Sequence, residues 1–248
     1  MSRLGILVLS AFAYMNFWYF YARLKQRNDV ADIAWGLGFT FLAWLSLGLC
    51  DVITTRSSLV TGLVTIWGLR LAIHIALRHQ RLPEDPRYFS LRRWAYLKVF
   101  MLQGALMLII MLPVFRIQQV SQDPINWLDG LGVLIWCVGF FFESVADFQL
   151  AQFKKEPKHR GKIIQSGLWR YSRHPNYFGE VLVWWGIWLL ALNVSEGWQT
   201  IVGPMTITFL ILKVSGITML EKKMQENREF ADYRSKTSQF LPWFPKQK

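Results

Sequence analysis

Residues 167–192, GLWRYSRHPNYFGEVLVWWGIWLLAL, join a polar, basic motif directly to an apolar run. A helix over residues 175–193 is long enough to cross a membrane, because about 20 residues at ~1.5 Å each span the hydrocarbon core. The polar residues just before this segment and in its first two turns are two arginines, a histidine, an asparagine and a glutamate. Either they anchor the helix at the lipid interface, or they hold a polar, anionic ligand there.

Apolar runs of this kind recur along the chain. Hydrophobic residues make up 53% of the 248 residues and are clustered, as in the 19 uncharged residues between Arg3 and Arg23. Runs of this length without charge are typical of transmembrane helices. The predicted spans are residues 4–22, 33–50, 57–78, 99–115, 127–152, 175–193 and 198–216. The sequence therefore predicts an all-α, polytopic membrane protein with seven transmembrane helices, as one domain over residues 1–248.

Lysines and arginines are distributed unequally between the predicted loops. With the N-terminus outside, 22 of them fall on the inner side and 3 on the outer side. Because cytoplasmic loops carry the Lys/Arg excess, this predicts an outer N-terminus and a cytoplasmic C-terminus. The net charge of +12 then belongs to one membrane face, where anionic lipid headgroups, not nucleic acid, are the expected partner. The first span is interpreted as a retained helix, since it shows no small-residue cleavage site of a signal peptide.

Ionisable and amide side chains inside the spans concentrate on one side of the membrane. Such residues are expensive in lipid and mark functional sites by default. In the predicted orientation all of them lie in the cytoplasmic half: Asp32, Arg70, His74, Glu143, Asp147, Asn176, Glu180 and Lys213. This predicts a polar cavity in the cytoplasmic half of the bundle, lined by the last three spans.

Purely structural roles are open for several polar residues. Arg170 fits an interfacial anchor, and Glu143 and Asp147 fit a structural pair with a basic partner. His74 fits a histidine that is satisfied in the core. Asp29, just before the second span, is interpreted as a solvated loop charge.

The sequence carries no signature of a metal site or of a nucleotide-binding loop. The four histidines lack ligand spacing, the two cysteines lie in apolar segments, and neither a G-x-G-x-x-G nor a P-loop motif occurs. No metal is expected, and any nucleotide must be held by helices and their loops.

The motif before the sixth span has the order of groups that a nucleotide cofactor requires. Pro175 suits the first turn of a helix. The free N–H groups of that turn, with Arg173 and His174 just before it, favour an anion site. Asn176 offers a donor and an acceptor together, whereas Glu180, one turn deeper, only accepts. A ligand with phosphates at the surface and a hydrogen-bonding heterocycle inside the membrane fits this order.

Several motifs resemble one known family. The segments NDVADIAWGLGF (28–39), EDPRY (84–88), FFESVADFQLAQFK (141–154) and GLWRYSRHPNYFGE (167–180) are similar to the DUF1295 branch of the steroid 5α-reductase superfamily. The resemblance covers residues 28 to about 240. It implies a helical bundle in the bacterial inner membrane, with its active site facing the cytoplasm. It also implies that NADPH, in preference to NADH, is bound there and that a carbon–carbon double bond of an apolar lipid is reduced.

The resemblance further implies a cofactor half at about 127–248. Glu143 and Asp147 match residues that hold the adenosine part, and Asn176 and Glu180 match those at the nicotinamide end. Basic residues fall near the phosphates and in the closing C-terminal helix. The full set of cofactor-binding candidates is Glu143, Asp147, Lys154, Lys162, Arg170, Tyr171, Arg173, His174, Asn176, Glu180, Lys222 and Arg228.

A reduction of this type also needs a proton donor for the developing enolate. The carbonyl-binding Glu/Tyr pair of the steroid enzymes has no secure match in the first three spans. The candidate catalytic donors are Asp32, kept protonated by burial, and Tyr177, both ranked ahead of His74. Arg70 is a further candidate.

Two other functions are open at this stage. Integral membrane methyltransferases of the isoprenylcysteine carboxyl type share RHPxY and bind S-adenosylmethionine at this place. Their motif usually lacks the acid found here as Glu180 and ends in a Glu-Glu pair, where this chain has the single Glu221. Both differences favour a reductase. A non-catalytic lipid carrier explains the buried charges but not the fit to a dinucleotide, and the sequence does not set the oligomeric state.

Overall fold

The computed structural model describes residues 2–80, 83–85, 88, 89, 91–120 and 124–246, apart from the side chain of residue 223. These residues form helices, turns and loops, without a strand. The α-helices are α1 (Arg3–Lys25), α2 (Val30–Gly48), α3 (Thr55–His79), α4 (Leu102–Ile110), α5 (Leu112–Gln119), α6 (Trp127–Lys155), α7 (Pro175–Ala191), α8 (Val202–Phe209), α9 (Ile217–Met224) and α10 (Arg228–Lys236). A π-helix, Tyr96–Met101, leads into α4, and another, Leu210–Val214, follows α8.

Helices long and apolar enough to cross a membrane lie at the predicted positions. Within the described residues they number five: α1, α2, α3, α6 and the stretch Gly197–Lys222. A bent pair, Tyr96–Ile110 and Leu112–Gln119, makes a sixth candidate, and α7 is an apolar helix of 17 residues. The predicted all-α, polytopic membrane fold is confirmed. Seven crossings, the outer N-terminus and the single domain stay predictions.

The fourth predicted span, residues 99–115, is broken rather than straight. The chain bends by 47° at Met111, between α4 and α5. Pro113 explains the bend, because proline has no N–H to give to the carbonyl of Ile109 and its ring pushes that carbonyl aside.

The chain forms two compact units. The first contains the residues up to Asn126 together with Leu190–Gly203, and the second contains Trp127–Leu189 and the residues from Pro204 onward. In the first unit, α2 and α3 approach closely at Gly36 and Gly68. A Cβ added to Gly36 would lie 2.6 Å from the carbonyl oxygen of Gly68, so only glycine allows this spacing.

In the second unit, α6 and α7 run antiparallel along a seam of glycines. Gly139 meets Gly179, and Gly132 meets Gly186, seven residues away on each helix. A Cβ added to Gly179 would lie 2.4 Å from both the backbone nitrogen of Glu143 and the carbonyl oxygen of Gly139. Glycines let membrane helices come this close, and the approach places the acidic side chains of α6 beside the first turns of α7.

The end of the chain returns to the motif that precedes α7. Residues 237–246, called the C-terminal segment below, follow α10. Arg173 N donates to the Ser238 carbonyl and Trp243 N donates to the Tyr171 carbonyl, both at 2.9 Å. Residues from the last part of the sequence therefore complete the surroundings of the motif at 167–180.

Candidate active site

Acidic and amide side chains of α6 and α7 meet at the start of α7. Asn176 Nδ2 donates to Asp147 Oδ1 at 3.0 Å. Glu143, one turn earlier on α6, is 2% exposed. Glu180 is half-buried, one turn further along α7. The structure thus gathers within the second unit the four residues expected at the adenosine and nicotinamide ends of a cofactor.

The side-chain oxygen of Asn176 is the notable atom of this group. It is buried and has no hydrogen-bond partner in the part of the chain that the structure describes. A buried acceptor left unpaired costs about 1–3 kcal/mol, so it calls for an explanation. Because the Nδ2 group is already committed to Asp147, the remaining acceptor suits a ligand that brings an N–H donor.

Directly before α7, Arg173 and His174 bind one carboxylate. Arg173 Nε donates to Glu221 Oε1 at 2.8 Å, and its Nη2 donates to Oε2 at 3.2 Å. His174 Nε2 lies 3.0 Å from Oε1, and Gln239 Nε2 donates to Oε2 at 3.1 Å. Arg173, His174 and Glu221 are all buried. They form a closed ion-pair cluster between the motif and α9.

The Nη1 group of Arg173 binds backbone carbonyls of α10 and of the C-terminal segment. Its Nη1 donates to the carbonyls of Thr237 at 2.8 Å and Arg234 at 3.2 Å. A planar guanidinium shared between a carboxylate and two carbonyls is a fixed structural centre. The sequence predicts Arg173 and His174 near cofactor phosphates; in the structure both face Glu221, and contact with a phosphate stays a prediction.

The loop that carries the motif is fixed from two sides. Trp169 Nε1 donates to the Ala146 carbonyl at 3.1 Å, which joins the loop to α6. Tyr233 Oη donates to the carbonyls of Trp169 and Ser172. Burial raises the pKa of the Tyr233 phenol, so the group remains a donor at neutral pH. Gly167 begins this turn with a φ of +61°, a conformation that favours glycine.

The other basic candidates lie on the exposed surface of the second unit. Tyr171 is half-buried, and its carbonyl accepts the Trp243 N–H. The exposed basic residues predicted for the cofactor are Lys154, Lys162, Arg170, Lys222 and Arg228.

In the first unit, Asp32 of α2 meets a phenol. Tyr88 Oη donates to Asp32 Oδ1 at 2.5 Å, a short O–H···O hydrogen bond. Tyr88 is buried and Asp32 is half-buried. The other two predicted donors lie elsewhere: His74 is half-buried on α3, and Tyr177 on α7 stacks on the ring of His174 with centroids 5.6 Å apart.

Asp29 is the centre of a buried ion pair, so its interpretation as a solvated loop charge is wrong. It is 1% exposed. Arg27 donates to its two oxygens at 2.9 and 3.1 Å, Asp85 N donates at 3.1 Å, and His79 Nε2 lies 3.3 Å away. Burial raises the pKa of this carboxyl, but the hydrogen bonds from Arg27 and Asp85 and the charges of His79 and Arg27 outweigh burial. The net pKa lies below the usual 3.8.

Glu84, the neighbour of Asp85, also binds the segment that carries Asp29. Asn28 N donates to Glu84 Oε1 and Arg92 Nη2 donates to Oε2, both at 2.7 Å. Hydrogen bonds therefore connect the motif NDVAD to the motif EDPRY. The sequence alone indicates no chemical role for either motif. The bonds that join them are Asn28–Glu84, Asp29–Asp85 and Asp32–Tyr88.

Sequence reasoning missed Tyr88 and underrated Glu221. The signal for Tyr88 was its place in EDPRY, a segment with two acids in an otherwise basic loop. The signal for Glu221 was an acid at the end of an apolar span in a chain that also carries the basic pair Arg173–His174. Within the described ranges, no three His, Cys, Asp or Glu side chains are placed to hold a metal ion.

Comparison with known proteins identifies related sequences. The family described as "Protein of unknown function (DUF1295)" matches residues 17–237. The chain is 31% identical over 88 residues to 3-oxo-5-alpha-steroid 4-dehydrogenase 1 of Bos taurus, covering 34% of each chain. It is 35% identical over 66 residues to a steroid 5-alpha-reductase of Gossypium hirsutum, covering 27% of this chain and 26% of the relative.

A third relative has a different reaction in its name. The chain is 35% identical over 66 residues to "Probable O-methyltransferase ustE" of Ustilaginoidea virens, covering 27% of this chain and 22% of the relative. The matches thus span about a third or less of the length of these three relatives. No solved structure matches the chain significantly.

Proposed function

This chain belongs to the DUF1295 family, and we propose that it is a membrane-embedded, NADPH-dependent reductase of a carbon–carbon double bond in an apolar lipid. An enone is the simplest substrate of this kind. The similarity to two steroid 5-alpha-reductases supports the reaction class. We place the protein in a bacterial inner membrane with the site facing the cytoplasm.

The observation that carries this proposal is the unpaired Asn176 oxygen. A nicotinamide ring bears a carboxamide whose N–H groups are the donors that this acceptor lacks. Glu180, one turn deeper on the same helix, supplies a second acceptor for them. The buried carboxylates Glu143 and Asp147 suit the hydroxyl and amino donors of adenosine. NADPH therefore fits the polar groups that α6 and α7 present.

The basic residues of the second unit fall into two groups, one that binds the cofactor phosphates and one that positions the surrounding chain. Lys154, Lys162 and Arg170 are exposed and suit the phosphates of the cofactor, as do Lys222 and Arg228 of the last helices. We assign Arg173 and His174 to a positioning role, because Glu221 already holds both. They hold the loop, α9 and the C-terminal segment in one arrangement around the cofactor half.

We assign the proton donation to Asp32 together with Tyr88. When bound, the cofactor supplies the hydride. Tyr88 donates to Asp32 Oδ1 and so orients the carboxyl group, and Asp32, protonated on its other oxygen, donates that proton to a substrate carbonyl oxygen as negative charge develops there. Tyr177 is the second candidate donor, and His74 ranks after both.

One observation favours a methyltransferase instead: the similarity to the Ustilaginoidea protein. The motif of the methyltransferases ends in a Glu-Glu pair, and Glu221 of α9 is the single acid at this place. Here both oxygens of Glu221 accept from Arg173, His174 or Gln239. This supports the reductase over the methyltransferase.

A ligand screen on the purified protein tests the cofactor. NADPH should raise the melting temperature more than NADH does, with a dissociation constant in the low-micromolar range or tighter. Asn176→Ala and Glu180→Ala should weaken binding at least about tenfold without lowering the melting temperature of the ligand-free protein by much. Asn193→Ala, in the loop after α7, is the matched control and should bind normally. Stabilisation by S-adenosylmethionine but not by NADPH would assign the methyltransferase, and stabilisation by neither would contradict both.

A substrate panel tests the proton donors. NADPH oxidation is followed with a series of enone lipids on the wild type, Asp32→Asn, Tyr88→Phe and Tyr177→Phe. We expect Asp32→Asn and Tyr88→Phe each to lower kcat at least about tenfold, which corresponds to about 1.4 kcal/mol of barrier. NADPH affinity should not change. If only Tyr177→Phe lowers kcat, the donor lies in the second unit and the pair assignment is wrong.

A further inference from the structure

The residues directly before the fourth predicted span carry an exposed face that the proposed reaction does not use. Arg93, Trp94, Leu97 and Lys98, called the Trp94 face here, are all exposed. Trp94 is 50% and Leu97 54% exposed. The opposite side of the same helical run is buried, through Ala95, Val99 and Phe100. The helix therefore presents two cations and two apolar groups outward at the point where an apolar span begins.

Both cations of this face lie against the indole. The Arg93 guanidinium carbon is 5.9 Å from the centre of the Trp94 ring, and Lys98 Nζ is 5.8 Å from it. Neither forms an ion pair within the described residues. Their neighbour Arg92 differs, since Glu84 binds it at 2.7 Å. Among the described residues, the charge of the Trp94 face is thus not compensated by a carboxylate.

Helix α1 packs against the same helical run within the first unit. Tyr19 of α1 packs on Tyr96 with ring centroids 5.0 Å apart, which sets the two helices side by side. One and a half turns further, Lys25 Nζ lies 5.8 Å from the centre of the exposed Tyr21 ring. Cation–aromatic pairs therefore line the adjoining ends of both helices.

We propose that the Trp94 face binds the headgroup of an anionic phospholipid, with the phosphate between Arg93 and Lys98 and an acyl chain along Leu97. Two cations that form no ion pair within the described part of the chain complement a phosphodiester. The exposed indole and leucine beside them favour a lipid over a soluble phosphate, because aromatic side chains settle at the membrane interface. The predicted orientation puts this face in the cytoplasmic leaflet, where anionic lipids give the surface its negative potential.

Native mass spectrometry in detergent tests the proposal with phosphatidylglycerol and phosphatidylcholine as probes. The wild type should retain at least one phosphatidylglycerol about tenfold more tightly than phosphatidylcholine. Arg93→Gln/Lys98→Gln should lose this bound lipid, and Trp94→Leu should weaken it. Millimolar inorganic phosphate should not displace it. Lys155→Gln/Arg160→Gln removes two exposed cations elsewhere on the same predicted side and is the matched control.

The outcomes separate a site from general charge attraction. If the control loses as much phosphatidylglycerol as Arg93→Gln/Lys98→Gln, binding follows net charge and the site does not exist. If inorganic phosphate displaces the lipid, the face is an anion site without lipid selectivity, which also overturns the proposal. Unchanged melting temperatures in both double variants exclude misfolding as the cause. None of these measurements depends on the reductase activity.

Discussion

Asp29 shows how one buried carboxylate can organise a loop on a different part of the chain. It accepts from Arg27 and from the backbone of Asp85, 56 residues away. Asp29→Asn should lower the free energy of unfolding by about 1.5–3 kcal/mol at pH 7, the usual worth of hydrogen bonds to charged groups. The loss should stay below that of a fully buried ion pair, because the Arg27 side chain is 29% exposed and water screens it.

The same residue makes a prediction about pH. Because the folded-state pKa of Asp29 lies below 3.8, its contribution is complete above that pH and disappears as the pH falls through the lower folded value. The difference in melting temperature between wild type and Asp29→Asn should therefore be full at pH 7 and shrink below pH 3.8. Asp51→Asn, at a carboxylate 87% exposed, is the control and should show almost no difference at either pH. A pH-independent difference would contradict the assigned ion pair.

For single residues, the sequence predicts where a polar side chain lies better than it predicts which group that side chain binds. Asn176 and Asp147 were expected at one site because their spans and motifs indicated it. The hydrogen bonds of Arg173, by contrast, are made with Glu221 and with the carbonyl of Thr237, 48 and 64 residues away. Nothing in local spacing distinguishes an arginine that binds a phosphate from one that binds a carboxylate of its own chain. For the same reason, the sequence does not show that Asp29 is buried against Arg27 and Asp85.

The glycine seam between α6 and α7 is the element on which the cofactor half depends. Gly179→Ala should lower the melting temperature strongly, because a Cβ 2.4 Å from two backbone atoms forces the helices apart. Overpacking of this kind costs about 1–3 kcal/mol. Gly130→Ala on α6, where an added Cβ meets nothing within 4 Å, is the matched control and should be neutral or slightly stabilising. Equal melting temperatures would show that the helices are not held at this distance.

The buried ion-pair cluster of Arg173, His174 and Glu221 should hold the C-terminal segment in place. Glu221→Gln leaves Arg173 buried without a counter-charge, which costs about 3–5 kcal/mol for a buried pair. We expect the C-terminal segment to detach and to be cleaved faster by trypsin at Lys236 or Lys246, as mass spectrometry of timed digests can measure. Glu229→Gln, which loses only a 3.2 Å contact with Gln165, is the control. Digestion of Glu221→Gln at the wild-type rate would contradict the structural role of the cluster.

Element boundaries followed closely from hydropathy. The predicted second, third and fifth spans, residues 33–50, 57–78 and 127–152, correspond to α2, α3 and α6 within a few residues. The start of α7 at Pro175 was also predicted, because proline fits the first helical turn. The bend before Pro113 and the close glycine contacts were not, since hydropathy reports burial in lipid and says nothing about how near two helices come.

For the whole molecule, the distribution of basic residues predicts an outer N-terminus. Single cysteines are introduced at exposed sites after Cys50 and Cys137 have been replaced by serine. Thr55, Gln119 and Ser195 should react with a membrane-impermeant maleimide in intact cells, whereas Lys25, Ser166 and Ser235 should react only after permeabilisation. The reverse pattern would overturn the orientation. Equal labelling of all six sites in intact cells would overturn the topology as well.

The last residues of the chain return to the motif before α7, and this has a consequence for biosynthesis. Arg173 and Ser172 leave the ribosome more than 60 residues before Thr237 and Phe240, whose carbonyls they bind. During that interval the basic motif of a nascent chain lacks these two carbonyl partners. The second unit therefore cannot complete these contacts until residues 237–240 have been synthesised and have left the ribosome. A fusion protein or epitope tag joined directly after residue 246 should disturb this final step more than one placed at the N-terminus.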